Sequence, residues 1–160
     1  MIRGNLVIEA GGVIGTDLDC GYNVVLREGC ILGDRVKIWS NSVIDAGAEI
    51  GDETRVHCNV YISQGCTIGS QCFIGPGVRL LNDKFPPRFT PESWEPVHLR
   101  DGVILGGGVI VLPGVEIGEG AFIGAGSVVT KSVPAGELWV GNPARCYRAR
   151  GEWDSSESTT

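Results

Sequence analysis

The chain has 160 residues, of which 42% are hydrophobic and 20% charged, and its formal net charge at pH 7 is −6. This length fits one domain, and the negative charge argues against nucleic acid or an anionic membrane as a main partner. No apolar run approaches membrane-spanning length and Met1 to Asn5 do not open a signal peptide, so we expect a cytoplasmic protein.

An apolar residue recurs at every sixth position along most of the chain. The count runs from Ile2 to Leu80, resumes at Leu99 and ends at Val129, which gives twenty hexapeptides. A period of six fits neither the α-helix nor the simple alternation of an ordinary strand. It is typical of a parallel β-helix, whose units bury their apolar faces only by stacking on one another. The repeat therefore predicts an all-β fold.

A second register predicts the corners of this β-helix. The residue three after each apolar anchor is Gly, Asn or Asp in sixteen of the twenty hexapeptides, and the residue four after it is usually small or β-branched. Gly, Asn and Asp tolerate positive φ, so we expect a short strand followed by a tight corner. Three such units make a triangular coil of eighteen residues. About seven coils, spaced by roughly 4.8 Å, predict a prism roughly 30 Å long.

The domain is expected to cover residues 1–150, followed by a flexible tail over 151–160. Residues 82–98 break the register and carry four prolines, and long insertions at such corners are usually functional. After Pro134 the register lapses, and we expect at most a short helix over 143–153. Four of the six cysteines take inward positions as small hydrophobes. No CxxC or Cys/His metal spacing is present, so we expect free thiols and no metal.

The eighteen-residue period places polar residues at the start of the insertion. Gln64 and Asn82 are eighteen residues apart, so they share a corner in adjacent coils, beside Asp83 and Lys84. We expect Asn82 and Asp83 to take part in catalysis and Gln64 and Lys84 to bind substrate. The alternatives are that Gln64 is a solvated amide and that Asp83 serves only the corner backbone.

A neighbouring corner carries His57 and Asn59. His57 stacks above Trp39 and is a candidate general base, although it could simply pack against the indole. Asn59 stacks above Asn41, and we expect it to bind substrate unless it serves only the corner. His98, where the insertion closes, is a weaker candidate.

Small residues line one corner of the C-terminal coils. Gly106 stacks on Gly124 and Gly107 on Ala125. Such a strip lets an extended ligand lie against the backbone and bond to its amides, and nearby cations at Lys131 and Arg145 could meet phosphates. The alternative is that small residues merely suit the corners and that the cations are ordinary surface charges.

These residues carry a family likeness. The hexapeptides, the proline-rich insertion and the ending Gly124-Ala-Gly-Ser-Val-Val-Thr-Lys131 … Val140-Gly-Asn-Pro-Ala-Arg145 resemble the left-handed β-helix acyltransferases. Within them, His57-Cys-Asn-Val60 followed by Asn82-Asp-Lys-Phe-Pro-Pro87 is similar to the nucleotide-linked amino-sugar N-acetyltransferases. The resemblance covers residues 1–150.

The resemblance implies a left-handed coil, acetyl-CoA as co-substrate and a homotrimer with active sites between subunits. The acceptor would be the amino group of a UDP- or dTDP-linked 3-amino sugar in polysaccharide or glycan synthesis. Acetyl-CoA would lie along the strip of Gly106, Gly107, Gly124 and Ala125, with its adenine near three further residues, which are Lys131, Pro143 and Arg145. The insertion would reach towards the adjacent subunit.

Two departures from the family pattern matter. Members often carry Gln where this chain has His57. We also expect no appended N-terminal domain, so any nucleotide pocket would come from the coils and the insertion alone. We expect direct attack of the sugar amine on the thioester, held in line by Gln64, Asn82 and Asp83, with a backbone N–H of the strip meeting the oxyanion.

Three other functions remain open. An O-acetyltransferase of the same fold would need His57 as general base, because a hydroxyl needs activation. A γ-type carbonic anhydrase would need three zinc-binding histidines, and the chain has two. A non-catalytic assembly scaffold is the third.

Overall fold

The computed structural model describes residues 1–86 and 90–149; residues 87–89, Arg150 and the expected tail over 151–160 lie outside this description. The described chain is a solenoid of about seven coils built from short β-strands, with one 3-10 turn at Pro91–Ser93. The predicted all-β solenoid of hexapeptide repeats is confirmed.

The strands form three parallel sheets, here named faces A, B and C. Face A contains β1 (Leu6–Ile8), β4 (Val24–Leu26), β7 (Val43–Ile44), β10 (Tyr61–Ile62), β13 (Arg79–Leu80), β16 (Ile110–Val111) and β19 (Val128–Val129). Face B contains β2 (Val13–Ile14), β5 (Ile31–Leu32), β8 (Glu49–Ile50), β11 (Thr67–Ile68), β14 (His98–Leu99) and β17 (Glu116–Ile117). Face C contains β3 (Asp19–Cys20), β6 (Lys37–Ile38), β9 (Arg55–Val56), β12 (Phe73–Ile74), β15 (Ile104–Leu105), β18 (Phe122–Ile123), β20 (Leu138–Gly141) and the antiparallel β21 (Ala144–Arg148).

The register explains the core. Most strands of one face pair at an offset of eighteen residues, as Tyr61 does with Val43 and Arg79. The offset is 31 residues across the insertion, as between Arg79 and Ile110, and 16 between β18 and β20. Every anchor from Cys20 to Val129 is buried, in one continuous apolar column. Ile2 and Ile8 are 59% and 48% exposed because they belong to the first coil, which has a neighbour on one side only. The inward placement of Cys20, Cys30, Cys66 and Cys72 is confirmed.

The corners connect the faces along three edges, named A–B, B–C and C–A after the faces they join. Each corner residue three after an anchor has positive φ, except at Asp83 and Ser132. Arg35, Glu53 and Gln71 take this conformation although they are not Gly, Asn or Asp. Their backbone N–H groups each donate a 2.8 Å bond to the preceding coil, and this ladder holds them there.

The insertion and the C-terminus differ in detail from expectation. Val97 is fully buried and His98 already lies in β14, so the chain is back in the prism before the predicted end of the insertion. The short helix expected over 143–153 is wrong for Ala144–Arg148, which form a strand paired with β20. This hairpin is tied to the last coil by Ser127, whose hydroxyl donates to the Gly124 carbonyl at 2.6 Å and accepts from the Gly141 N–H at 3.0 Å. No helix within the described residues is long and apolar enough to cross a membrane.

Candidate functional site

The C–A edge carries the predicted base, His57. Its half-buried imidazole lies between Trp39, with ring centroids 4.1 Å apart, and Phe73, at 5.1 Å. Burial first, and then the positive charge of Arg55, lower the pKa of His57 below its ordinary 6.5. Neither ring nitrogen has a hydrogen-bond partner among residues 1–86 and 90–149. His57 is therefore packed against an indole, as the alternative held, and is also neutral and able to accept a proton at neutral pH.

Ser42 fixes the backbone of His57 and is a residue that the sequence did not single out for the site. Its hydroxyl, fully buried, donates to the His57 carbonyl at 2.8 Å and accepts from the Val60 N–H at 3.2 Å. Phe73 was missed as well, although its position eighteen residues after Arg55 places it on the same face. The eighteen-residue count relates Phe73 to Arg55 and Ser42 to Val60. The bond from Ser42 to His57 spans fifteen residues, so that count does not reveal it.

Asn59 occupies the corner position, with φ of 60°. Below it on the same edge, Asn5, Asn23 and Asn41 form an amide ladder with bonds of 3.2 and 3.1 Å. The Asn59 carbonyl accepts a hydrogen bond from the guanidinium of Arg79. These contacts give Asn59 a structural task at the corner, and its substrate-binding role stays a prediction.

The strip of small residues lies farther along the same edge. A Cβ on Gly106 would come within 2.5 Å of the Ala125 nitrogen, so the stacking of the next coil requires glycine there. A Cβ on Gly107 would meet only Pro76, at 3.4 Å or more. Gly124 is restricted by Val140, whose Cγ1 would lie 2.6 Å from an added Cβ. Packing thus explains why Gly106 and Gly124 are glycines. Close packing does not require a small residue at Gly107 or at the exposed Ala125, yet both leave this edge without bulky side chains.

The expected phosphate contacts lie apart from one another. Arg145 and Pro143 are exposed in the C-terminal hairpin, and the Arg145 guanidinium donates to the Ala144 carbonyl at 2.8 Å. Lys131 is exposed on the A–B edge, after β19. The strip and Lys131 are therefore on different edges of one protomer, separated by face A.

The A–B edge carries Gln64 and Asn82, as predicted. The Asn82 side chain donates through Nδ2 to the Gln64 carbonyl at 3.2 Å. In the preceding coil the carbonyl at the same position, that of Ala46, accepts a hydrogen bond from the N–H of the corner residue Gly65 at 3.1 Å. Pro96 stacks on Gly65 in the next coil and has no N–H to donate. Asn82 supplies the missing donor, so its side chain completes the ladder where the insertion leaves it.

Asp83 and Lys84 also have contacts within the insertion. The Asp83 carboxylate accepts the Phe85 N–H at 3.0 Å, and Lys84 forms an ion pair with Glu95 at 3.4 Å. The Glu95 N–H donates to the Asn82 carbonyl at 2.8 Å, which closes the base of the insertion. Catalytic or binding roles for Asp83 and Lys84 stay predictions that these contacts neither require nor exclude.

The two histidines lie on different parts of the prism. His98 is on face B, where its Nδ1 bonds to the Thr67 hydroxyl at 2.8 Å, whereas His57 is on the C–A edge. In the part of the chain that the structure describes, no three His, Cys, Asp or Glu side chains are grouped to hold a metal ion.

The repeat pattern also matches known families. The model described as bacterial transferase hexapeptide (six repeats) matches residues 47–82 and 96–131, and the hexapeptide repeat of succinyl-transferase matches residues 29–64. Together the two models cover more than half of the chain, and the gap between the two segments that the first model matches lies within the insertion. The chain belongs to the hexapeptide-repeat transferase family.

Individual relatives are acetyltransferases by name. A Schizosaccharomyces pombe protein provisionally named an acetyltransferase is 47% identical over 84 residues, which are 49% of this chain and 41% of that protein. The chain thus spans less than half the length of the curated relatives it matches. A hexapeptide-repeat acetyltransferase of Vibrio cholerae O1 biovar eltor, solved with acetyl coenzyme A, is 29% identical with a TM-score of 0.56, over 69% of this chain and 68% of that one. The polySia-specific acetyltransferase NeuO is 26% identical with a TM-score of 0.64, over 98% and 91% of the two chains.

Proposed function

We propose that this protein is an acetyl-CoA-dependent acetyltransferase and that its acceptor is the amino group of a UDP- or dTDP-linked 3-amino sugar. The proposal of acetyl-CoA depends on the C–A edge, where the strip of small residues lies on the same edge as the neutral imidazole of His57. The Vibrio relative that binds acetyl coenzyme A supports it. The acceptor part rests on the motif likeness around His57 and Asn82.

In the proposed reaction the neutral sugar amine attacks the thioester carbonyl. A backbone N–H of the strip donates to the oxyanion that forms, a contact typically worth about 3 kcal/mol. The C–S bond then breaks, coenzyme A leaves as the thiolate, and the amine proton passes to His57 or to that thiolate. Because an amine is already nucleophilic when neutral, loss of His57 slows this reaction only modestly.

We further propose that the enzyme is a homotrimer whose sites lie between protomers. One chain puts His57 and the strip on the C–A edge and Gln64 and Asn82 on the A–B edge. A neighbouring A–B edge laid against the C–A edge would bring the two sets to one groove. Closed cyclic symmetry would repeat this groove three times.

Mixing two variants tests this arrangement. Gly107→Trp chains, whose new side chain covers the strip on the C–A edge, and Asn82→Ala chains, each expected to have low activity alone, are refolded together. If the site is shared between neighbours, random mixing restores about a quarter of the sites, because each restored site needs one variant on each side. Mixed samples no more active than the separate variants would contradict a shared site, provided that light scattering shows a trimer.

The direct test of the acceptor uses labelled acetyl-CoA with a panel of UDP- and dTDP-linked 3-amino sugars and their 3-hydroxy counterparts. We expect transfer to an amino sugar and a product that resists hydroxylamine, as amides do. Transfer confined to the hydroxyl compounds, with a hydroxylamine-labile ester product, would overturn N-acetylation.

O-acetylation of a sugar hydroxyl is the second candidate, and one observation favours it. His57 is neutral, half-buried and unpaired within the described residues, which suits the general base that a hydroxyl acceptor needs. His57→Ala separates the two reactions. Near-complete loss of kcat favours O-transfer, and a modest loss favours N-transfer.

A further inference from the structure

Two cations stand directly opposite each other on face C. Lys37 of β6 pairs with Arg55 of β9, and both side chains are exposed on the outside of the prism. Adjacent strands are about 4.8 Å apart. Like charges at directly opposite positions destabilise a sheet, so this pair costs the protein stability unless an anion lies between the two side chains.

The nearby carboxylates have other partners. Asp19, which pairs with Lys37 on the other side, bonds to the Arg3 guanidinium at 2.9 Å. Glu53 bonds to Arg35 at 2.7 Å. Among the described residues, neither Lys37 nor Arg55 forms an ion pair.

The acids of the adjoining B–C edge are also engaged. Asp34 accepts the Thr16 N–H and Asp52 accepts the Asp34 N–H, each at 2.8 Å. These bonds run along the edge between backbone and side chains of successive coils. Within residues 1–86 and 90–149, no ion pair therefore neutralises Lys37 or Arg55, in a chain whose net charge is −6.

A surface groove passes between these cations. Arg35, Lys37, Glu53 and Arg55 line it, and its volume is about 350 Å³. Arg35 and Glu53 pair with each other, so Lys37 and Arg55 supply the two positive charges of the groove that are available to an anion. Charge-assisted hydrogen bonds from lysine and arginine are the strong contacts available to phosphate or carboxylate oxygens.

The groove adjoins the candidate site. The Arg55 guanidinium carbon lies 5.9 Å from the centroid of the Phe73 ring, and the His57 ring lies 5.1 Å from the same ring. A molecule with an anionic group between Lys37 and Arg55 can extend over Phe73 to His57.

We propose that the groove between Lys37 and Arg55 binds the anionic group of the acceptor and so sets the enzyme's preference for acidic acceptors. The occupant is a phosphate or carboxylate on the molecule that receives the acetyl group. Its identification as the acceptor rests on the proposed function, whereas the anion site itself does not.

Calorimetry with two probes tests the proposal. Inorganic pyrophosphate represents the linkage of a nucleotide sugar, and a sialic acid dimer represents a carboxylate polymer. We expect at least one probe to bind, and Lys37→Gln and Arg55→Gln each to weaken that binding about tenfold. Arg100→Gln is the matched control, because Arg100 is an exposed arginine paired with Glu116 on another side of the prism, and it should leave binding unchanged.

The remaining outcomes are decisive as well. If neither probe binds, or if the control loses as much affinity as the two variants, the anion site is refuted. If saturating coenzyme A displaces the probe, the groove holds the phosphates of coenzyme A and its assignment to the acceptor fails. If the probe binds as expected but no acetyl transfer is found, the proposed function fails while the anion site stands.

Discussion

Gly106 and Gly107 are adjacent glycines on the C–A edge, and replacing each by alanine tests the fold and the site separately. In Gly106→Ala the new Cβ would lie 2.5 Å from the Ala125 nitrogen and 2.8 Å from its Cα, so the backbone of the next coil must move. Overpacking of this kind costs about 3 kcal/mol at the upper end of the usual range. For a chain of this size we expect the melting temperature to fall by roughly 6–12 °C.

Gly107→Ala is the matched variant. Its Cβ would lie 3.4 Å from the Pro76 carbonyl oxygen and 3.5 Å from the ring, which is ordinary contact, and its φ is outside the left-handed range. The free energy of unfolding should change by less than about 0.5 kcal/mol. If acetyl-CoA lies against this backbone, the added methyl group displaces the ligand from it. A loss of about 1.4 kcal/mol of binding free energy would raise the Kd for acetyl-CoA about tenfold.

Thermal unfolding at one protein concentration and calorimetry with acetyl-CoA measure the two effects. If Gly107→Ala melts as early as Gly106→Ala, the stacking argument is wrong. If Gly107→Ala is stable and binds acetyl-CoA as the wild type does, the strip serves packing alone.

Three further predictions concern single side chains. The pKa of His57 is lowered in the folded state, so below pH 6.5 the unfolded chain binds a proton more readily than the folded chain. The stability of the wild type relative to His57→Gln should therefore fall as the pH drops below 6.5. Equal pH profiles of the two proteins in urea titrations would contradict the neutral imidazole. Asn82→Asp removes the donor to the Gln64 carbonyl and should lower the free energy of unfolding by about 1 kcal/mol, as measured with denaturant. Unchanged stability would contradict the structural role given to this hydrogen bond. A thiol reagent should titrate the exposed Cys146, and more slowly the half-buried Cys58, in the native protein; rapid reaction of the others would be unexpected, because burial raises the pKa of the thiols of Cys20, Cys30, Cys66 and Cys72.

The fold could be predicted from the sequence because each hexapeptide encodes its own strand and corner. The anchor at Ile62, for example, fixes a buried strand residue, and Gly65 fixes the positive φ three residues later. The same count correctly placed Gln64 beside Asn82. A repeat that specifies every coil by one rule leaves little for long-range contacts to decide.

The parts outside the repeat could not be predicted in this way. The strand at Ala144–Arg148 forms because β20 offers it an edge, and the local sequence does not reveal that pairing. The role of Asn82 depends on Pro96, near the C-terminal end of the insertion. Pro96 stacks on Gly65 but has no N–H to donate to the Gln64 carbonyl, so the Asn82 side chain donates instead. Contacts between residues that no period relates are visible only once the chain has folded.

Substitution of Ser42 can distinguish an effect on stability from an effect on catalysis at the C–A edge. Its hydroxyl bonds to the His57 carbonyl and the Val60 N–H, and Ser42→Ala should cost about 1–3 kcal/mol because the buried Val60 N–H is left unpaired. Thr54 makes the same two kinds of bond on the B–C edge, donating to the Gly69 carbonyl at 2.8 Å and accepting from the Cys72 N–H at 3.0 Å.

Thr54→Val is therefore a control that should lose similar stability without touching His57. If His57 acts in the reaction, Ser42→Ala lowers kcat and shifts the acidic limb of the pH profile, and Thr54→Val does neither. A comparable loss of kcat in both variants would mean that activity follows stability alone, and the placement of His57 by Ser42 would then have no part in the chemistry.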